Sequence, residues 1–112
     1  ETRGLIGPSE IGAMKPEAVI LNVGRGPVID EPALVRALQS GAIRGAALDV
    51  FDTEPLPAGH PFWGMRNVLL SPHTADRVEG FLVPAGECFL ENLGRFLSGS
   101  PLLNVVDKRA GY

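Results

Sequence analysis

The chain has 112 residues, of which 45% are hydrophobic, 21% are charged and 6% are aromatic, and its formal net charge is -3. This length allows one globular domain at most, and the composition excludes collagen-like, disordered and coiled-coil proteins. It offers no basic stripe for nucleic acid, and no apolar run approaches the roughly 18 residues that cross a bilayer. The single Cys88 cannot form an internal disulfide, and the two histidines do not suggest a metal site. We therefore expect a reducing compartment and no nucleic-acid, membrane or metal partner.

Capping and apolar patterns predict the first helix and the first strand. Ser9 is a candidate N-cap for a short helix over residues 10–14, which Pro16 ends because proline disfavours helical geometry in the residue before it. Residues 18–23 form a nearly continuous apolar run that stops at a glycine-rich turn. Such a run predicts a strand buried on both faces.

A helix, a strand, a long loop and a third strand are predicted next. Asp30 is a candidate N-cap for a helix with apolar residues at helical spacing, and Gly41 ends it. Residues 43–50 predict a second strand, in which Gly45 and Ala46 would let a neighbouring backbone or a ligand come close. Three prolines make residues 52–66 an irregular loop, and residues 67–70 predict the third strand.

The C-terminal part is predicted as a long amphipathic helix followed by a short tail. Apolar residues recur at helical spacing between residues 76 and 97, and Pro84 should kink this helix or delay its start. Cys88 lies on this helix without an adjacent histidine or lysine. We interpret it as a small buried hydrophobe and not as a nucleophile.

The order of elements predicts an α/β fold with a parallel sheet of about three strands and right-handed crossovers. Ligands of such sheets bind outside the carboxyl ends of the strands. Arg25 follows the first predicted strand, Asp49 lies near the C-terminal end of the second with Glu54 in the loop after it, and His73 follows the third. The sequence therefore brings chemically useful side chains to one edge of the sheet.

Each of these side chains has a functional and a structural interpretation. Arg25 stands between two glycines, which suits bidentate capture of a carboxylate or phosphate, but a solvated loop arginine is the alternative. His73 could act as a general acid and base, with a carboxylate such as Glu54 favouring its protonated form, or be an incidental loop histidine. Glu54 before a proline could equally be turn chemistry.

A single role is expected for each of several other polar and aromatic residues. Asp49 lies in an apolar stretch, where a carboxylate is costly unless a helix N-terminus or a ligand amide hydrogen-bonds it. His60 in the proline-rich loop is interpreted as incidental. Phe62 and Trp63 are expected to cover this loop.

Three motifs in order carry a resemblance to a known family. They are NVGRG at residues 22–26, ALDVFDTEP at residues 47–55 and SPH at residues 71–73. Together they resemble the second half of the nucleotide-binding domain of the D-isomer-specific 2-hydroxyacid dehydrogenases, a Rossmann-like doubly wound sheet. The resemblance runs from residue 2 to residue 75 and continues more weakly to residue 106.

The resemblance implies roles for the catalytic positions. It implies that Arg25 binds the substrate carboxylate and 2-oxo group. It also implies that Glu54 is hydrogen-bonded to His73, the acid and base of the reaction. The substrate would be a small 2-oxo or 2-hydroxy acid, and the parent protein an NAD(P)-dependent dehydrogenase.

The resemblance also implies a cofactor surface for NAD or NADP. Asp49 would lie against the nicotinamide carboxamide, and Val23, Gly24, Arg25 and His73 would line the nicotinamide site. The chain contains no G-x-G-x-x-G, so the pyrophosphate contacts of the family cannot be made by these residues. The sequence does not distinguish NAD from NADP, nor does it identify the acid.

These implications set expectations for the whole chain. Residues 1–75 are expected to be the second half of a dinucleotide-binding domain, and residues 76–112 a helix and tail that lead back toward a substrate lobe. Glu1 is interpreted as an internal start, so the chain alone is expected to be inactive and to self-associate or form a homodimer. The default location is the cytoplasm, with organellar targeting left open. The alternative is a non-catalytic fragment or a dehydrogenase-like interaction module.

Overall fold

The computed structural model describes residues 2–110, which divide into two compact units between Ala75 and Asp76. The elements of the first unit are, in chain order, helix α1 (Pro8–Gly12), strand β1 (Val19–Asn22), helix α2 (Glu31–Ser40), strand β2 (Gly45–Leu48) and strand β3 (Val68–Leu70). Two short 3-10 turns, Gly26–Val28 and Pro61–Gly64, lie in the connections. The second unit contains helix α3 (Val83–Leu97).

The three strands form one parallel sheet in the order β1-β2-β3. This confirms the predicted α/β fold. Gly45 permits the close approach that was expected there, because a Cβ atom at this position would lie 2.6 Å from the carbonyl oxygen of Asn67. Since the strands are parallel, their carboxyl ends share one edge of the sheet.

Helix α2 covers one face of the sheet, and both of its ends are as predicted. The Asp30 carboxylate accepts a hydrogen bond of 2.8 Å from the backbone N–H of Ala33, and Gly41 ends the helix at a φ of 70°. Leu34 of this helix, Ile43 after it and Phe62 of the long loop are the largest fully buried side chains among residues 2–110. The core therefore lies between α2, the sheet and the loop that leads to β3.

The prediction that β1 is buried on both faces is wrong. Ile20 and Asn22 are buried, whereas Val19 and Leu21 are 39% and 69% exposed. A continuous apolar run shows that both faces of a strand avoid water, but it does not show which segment covers the second face. Among the described residues, one face of this strand is covered.

The predicted start and cap of the first helix are also wrong. Helix α1 begins at Pro8, two residues earlier than expected, and Gly7 takes the N-cap position instead of Ser9. The Glu10 carboxylate reaches back and accepts a 2.8 Å hydrogen bond from the Gly7 N–H. The glutamate at the third helical position thus satisfies the amide of the N-cap residue, and the N-cap residue itself supplies no side-chain cap.

Helix α3 is shorter than its apolar pattern suggested. It begins at Val83, so that Pro84 lies in its first turn, where proline is tolerated. None of its residues is buried, and Cys88 is half-buried, with Asn92 and Asn104 amide groups beside its sulfur. The prediction of a buried cysteine is therefore wrong. No helix in the described part of the chain has the length and hydropathy needed to cross a membrane.

Candidate active site

The turn that carries Arg25 is held by the last residue of β1. Asn22 is 8% exposed, and its side chain accepts a hydrogen bond of 3.2 Å from the Gly24 N–H and donates one of 3.0 Å to the Arg25 carbonyl. These two bonds close the backbone around residues 22–25. The Arg25 side chain is left exposed, where its Nη1 donates to the Gly24 carbonyl at 2.8 Å.

The same turn packs tightly against the segment that follows β2. A Cβ atom at Gly26 would lie 1.9 Å from the carbonyl carbon and oxygen of Phe51, so only a glycine fits without displacement of the backbone. This contact brings the Arg25 turn next to the segment that leads to Glu54. The positive charge of Arg25 is near enough to contribute to lowering the pKa of the Glu54 carboxyl.

Glu54 and His73 form a close pair at this edge. His73 Nδ1 lies 2.7 Å from Glu54 Oε2, and the other carboxylate oxygen accepts a 3.0 Å hydrogen bond from the Phe51 N–H. The hydrogen bond from His73, followed by the one from Phe51, lowers the pKa of Glu54 below its usual range. An ionised carboxylate only accepts, so Nδ1 of His73 carries a hydrogen and Nε2 is the nitrogen free to exchange a proton.

Asp49 is 3% exposed and accepts three hydrogen bonds through its carboxylate. The donors are the Ser71 hydroxyl at 2.5 Å and the backbone N–H groups of Thr74 and Ala75, each at 2.9 Å. These bonds, the one from Ser71 first, lower the pKa of Asp49. The expectation that this carboxylate is hydrogen-bonded is confirmed, but its donors come from the segment after β3 and not from a helix N-terminus.

A cleft of about 570 Å³ adjoins the Glu54–His73 pair. Its walls are mostly apolar and include Phe51, Leu56, Trp63 and Leu70, while Glu54 supplies a carboxylate and His73 an imidazole. Trp63 is 58% exposed and donates from its indole nitrogen to the Pro57 carbonyl at 2.9 Å. Arg25 does not line this cleft.

His60 has a structural role in the loop that carries Glu54. Its Nδ1 accepts a hydrogen bond from the Phe62 N–H at 3.3 Å, and its Nε2 lies 3.2 Å from Glu31 Oε1 at the start of α2. The other Glu31 oxygen accepts from the Asp52 N–H at 3.0 Å. Two points of the long loop are thereby attached to α2, which limits the positions that Glu54 can take.

The sequence of the chain matches a known protein family. The sequence model of the D-isomer specific 2-hydroxyacid dehydrogenase family, NAD binding domain, matches residues 1–75. The chain belongs to this family. The family predicted from the three motifs is therefore confirmed for residues 1–75.

Individual relatives show the same relationship. A glyoxylate reductase from Aeropyrum pernix is 44% identical over 108 residues, which are 96% of this chain and 32% of that protein. A D-isomer specific 2-hydroxyacid dehydrogenase from Xanthobacter autotrophicus, solved with NADPH and MES, superposes with a TM-score of 0.83 at 47% identity over 99% of this chain and 45% of its own. An NADPH-dependent glyoxylate/hydroxypyruvate reductase from Sinorhizobium meliloti, solved with NADP and sulfate, gives 0.82 at 36% identity, covering 99% of this chain and 36% of its own. The chain spans about a third of the length of the curated relatives that it matches.

Sequence reasoning missed two residues that shape this dehydrogenase-family site. Asn22 organises the Arg25 turn, and Ser71 supplies the shortest bond to Asp49. Asparagine before a glycine-rich turn is a recognisable signal, because its side chain commonly bonds the backbone two residues on. Ser71 offers no such local signal, since its partner lies 22 residues away. Throughout residues 2–110, no group of three or more His, Cys, Asp or Glu side chains could hold a metal ion.

Proposed function

We propose that this chain is the catalytic part of an oxidoreductase that transfers a hydride between NAD(P) and a small 2-oxo or 2-hydroxy acid. The observation that carries the proposal is the 2.7 Å contact between His73 Nδ1 and Glu54 Oε2. It leaves His73 Nε2 to donate a proton to the carbonyl oxygen during reduction and to accept it from the hydroxyl during oxidation. Glu54 stays ionised and keeps the imidazole in the orientation and tautomer that this role needs.

Arg25 is proposed to bind the substrate carboxylate and to polarise its 2-oxo group. Its guanidinium is exposed on a turn fixed by Asn22, and its positive charge contributes to lowering the pKa of Glu54. A planar guanidinium can donate two parallel hydrogen bonds to a carboxylate, which orients the acid as well as holding it. In the transition state the same positive group stabilises the negative charge that develops on the carbonyl oxygen.

The proposed cofactor surface lies at the carboxyl end of β1. Val23 is 66% exposed and Gly24 has no side chain, so the edge is open to a flat ring at this point. We propose that Val23, Gly24, Arg25, Asp49 and His73 border the nicotinamide. When bound, NADH or NADPH supplies the hydride. The matching family is named for NAD binding, whereas the Xanthobacter and Sinorhizobium structures contain NADPH and NADP, respectively. We therefore propose NADH or NADPH as the cofactor.

The proposal extends to the arrangement of the parent protein. Residues 1–75 are proposed to be the second half of its dinucleotide-binding domain, and residues 76–112 a helix and tail that lead to a substrate lobe. The chain lacks a G-x-G-x-x-G, so we propose that the pyrophosphate site and the acid's side-chain pocket are supplied by other parts of that protein. In isolation the chain is then inactive, and it self-associates through its open sheet edge.

The test is a steady-state assay of the full-length parent with NADH and with NADPH, using glyoxylate and hydroxypyruvate as oxo acids. We expect nicotinamide oxidation that depends on the oxo acid and is absent with an aldehyde lacking the carboxylate. The Arg36→Lys variant, altered on the exposed face of α2 and outside the proposed site, should stay active. Absence of turnover with both cofactors, in a protein that binds them, would favour a non-catalytic dehydrogenase-like module instead.

A further inference from the structure

One glutamate holds both ends of the loop that carries Glu54. Glu31, the first residue of α2, accepts a 3.0 Å hydrogen bond from the Asp52 N–H through Oε2, and its Oε1 lies 3.2 Å from His60 Nε2. Asp52 precedes Glu54 in the chain, and His60 follows it. The Glu31 carboxylate therefore joins the two ends of residues 52–60 at the base of the loop.

Packing contributes little to the placement of this loop. Among residues 52–59, Leu56 is partly buried and the other residues are exposed. Residues 52–60 contain neither a helix nor a strand. A segment of this kind has few contacts of its own and depends on the hydrogen bonds at its ends. The bonds to Glu31 are therefore expected to determine where Glu54 lies.

His60 bonds to α2 with one ring nitrogen and to the next turn with the other. Its Nδ1 accepts a 3.3 Å hydrogen bond from the Phe62 N–H, so in the neutral imidazole Nε2 carries the hydrogen and donates it to Glu31. The side chains of His60 and Glu31 are each 17% exposed, so water competes little for this bond. The His60 ring also packs on Phe62, which is fully buried, with 4.5 Å between the ring centres. This end of the loop is thus attached to the core as well as to α2.

We propose that Glu31 and His60 are positioning residues, which hold the loop so that the Glu54 carboxylate stays within hydrogen-bond distance of His73. The catalytic consequence rests on the proposed function. Neither Glu31 nor His60 lines the cleft beside His73, so both act through Glu54. The inference gives a role to His60, which the sequence alone indicates to be an incidental loop histidine.

Two substitutions of His60 separate its two hydrogen bonds. In His60→Asn, the side-chain oxygen takes the place of Nδ1 and can accept from the Phe62 N–H, but the side chain is too short to reach Glu31. In His60→Gln, the NH₂ group takes the place of Nε2 and can donate to Glu31, but no acceptor remains at the place of Nδ1. Both variants lose the ring and its packing on Phe62, so a difference between them reports the bond to α2.

The first experiment measures kcat, KM for the oxo acid and the dissociation constant of NADPH in the full-length protein. We expect His60→Asn to lower kcat about 10-fold and His60→Gln less than about threefold, with KM and the dissociation constant changed less than about threefold in both. In a Glu54→Gln background, where the contact with His73 is already impaired, His60→Asn should lower kcat less than about twofold. A general loss of stability would lower kcat equally in both backgrounds.

Substitution of Glu31 tests the other partner of the same bond. In Glu31→Gln, one oxygen and one NH₂ group face the two donors from Asp52 and His60, so one donor loses its acceptor. We expect a loss of kcat similar to that of His60→Asn. Glu91→Gln makes the same chemical change at an exposed glutamate of α3 and should leave kcat unchanged.

A second measurement does not depend on activity. The Phe51 N–H donates to Glu54 Oε1, so its hydrogen exchange reports whether Glu54 keeps its place. Exchange at Phe51 should be faster in His60→Asn than in the unmodified protein and unchanged in His60→Gln, whereas exchange at Phe62 should be faster in His60→Gln alone.

These outcomes distinguish the inference from the proposed function. If the unmodified protein shows no turnover but Phe51 exchanges faster in His60→Asn alone, the proposed function fails and the positioning role stands. Equal exchange at Phe51 in all three proteins would overturn the inference. A greater loss of kcat in His60→Gln than in His60→Asn, or losses that multiply in the double variant with Glu54→Gln, would also overturn it.

Discussion

The Glu54 carboxylate divides its two oxygens between a side chain and the backbone. Oε2 faces His73 and Oε1 accepts from the Phe51 N–H, so the glutamate cannot rotate away without losing a bond. Both contacts and the charge of Arg25 lower its pKa, which keeps the carboxylate ionised at neutral pH. The ionised carboxylate therefore stays an acceptor for the N–H of His73 Nδ1, which fixes the tautomer of the imidazole.

Glu54→Gln tests whether this contact serves the proposed reaction. A neutral amide accepts the hydrogen bond from His73 Nδ1 more weakly and can present its NH₂ group instead, so the imidazole loses its fixed tautomer and orientation. We expect kcat/KM for reduction of an oxo acid to fall by about 10- to 100-fold. The measurement is steady-state kinetics of the full-length protein at neutral pH.

Glu91→Gln is the matched control for that measurement. Glu91 pairs with Arg95 on α3 and not with His73, so the same change there should leave kcat/KM unchanged. An unchanged kcat/KM in Glu54→Gln, or equal losses in both variants, would contradict the assigned pairing.

Arg25→Lys tests the proposed carboxylate contact. An ammonium group cannot reproduce two parallel hydrogen bonds, so we expect kcat/KM with an oxo acid to fall by roughly 100-fold. NADPH affinity should change little. Arg36→Lys, on the exposed face of α2, serves as the control. An unaltered kcat/KM would remove Arg25 from substrate binding.

At this scale, the sequence predicts the side chains that follow strand ends, and the family resemblance pairs Glu54 with His73, but the donors that reach Asp49 are not predicted. The sequence singles out Arg25, Glu54 and His73, because each follows an apolar run in a chain whose order of elements predicts a parallel sheet. The sequence does not predict the left-handed φ of His73 or the donors to Asp49, because both depend on contacts between residues more than 20 positions apart along the chain. The functional roles of these residues remain predictions.

Two close backbone approaches in the first unit occur at glycines. Gly26 contacts the Phe51 backbone, and Gly45 contacts the Asn67 backbone across the β2–β3 pair. The first contact sets the distance between the Arg25 turn and the Glu54 loop. The second sets the spacing between the strands that precede Asp49 and His73.

Gly26→Ala and Gly24→Ala form a matched pair that tests the first contact. A Cβ at Gly26 would lie 1.9 Å from Phe51 backbone atoms, whereas at Gly24 the nearest neighbour would be Asn22 Oδ1 at 3.7 Å, an ordinary contact. We expect Gly26→Ala to lower the free energy of unfolding by about 3 kcal/mol and Gly24→Ala by less than about 1 kcal/mol. Denaturant unfolding measures both. Equal effects would show that the turn does not pack as described.

The same elements show where sequence patterns succeed and fail. Helix α2 was predicted at both ends because its cap and its terminating glycine are local signals, Asp30 and Gly41. The prediction for helix α1 is wrong because Ser9 is not its cap: the helix begins at Pro8, and the Glu10 carboxylate accepts from the Gly7 N–H. The burial of β1 was misjudged because the apolar pattern of a strand does not say where its covering layer comes from.

On the scale of the whole molecule, β1 is an edge strand with an exposed apolar face. It pairs with β2 alone among the described strands, and Val19, Leu21 and Val23 are exposed. Unpaired backbone groups beside apolar side chains favour pairing with a further strand. In the proposed parent, another segment would cover this edge.

We therefore predict that the 112-residue chain, produced alone, self-associates. Light scattering over a concentration series should show an apparent mass that rises with concentration. Leu21→Lys places a charge on the exposed face of β1 and should reduce the association, while Arg36→Lys on α2 should not. A mass equal to the monomer at every concentration would contradict this prediction.

The central claim is that His73, held by Glu54, transfers the proton that accompanies hydride transfer to an oxo acid. The most direct test is a single-turnover measurement in the full-length protein, in which prebound NADPH is mixed with glyoxylate and its absorbance is followed. We expect His73→Gln to slow this step by about 10²- to 10⁴-fold, while the affinity for NADPH stays within a few fold of the original. A single-turnover rate in His73→Gln equal to that of the unmodified protein would contradict the account.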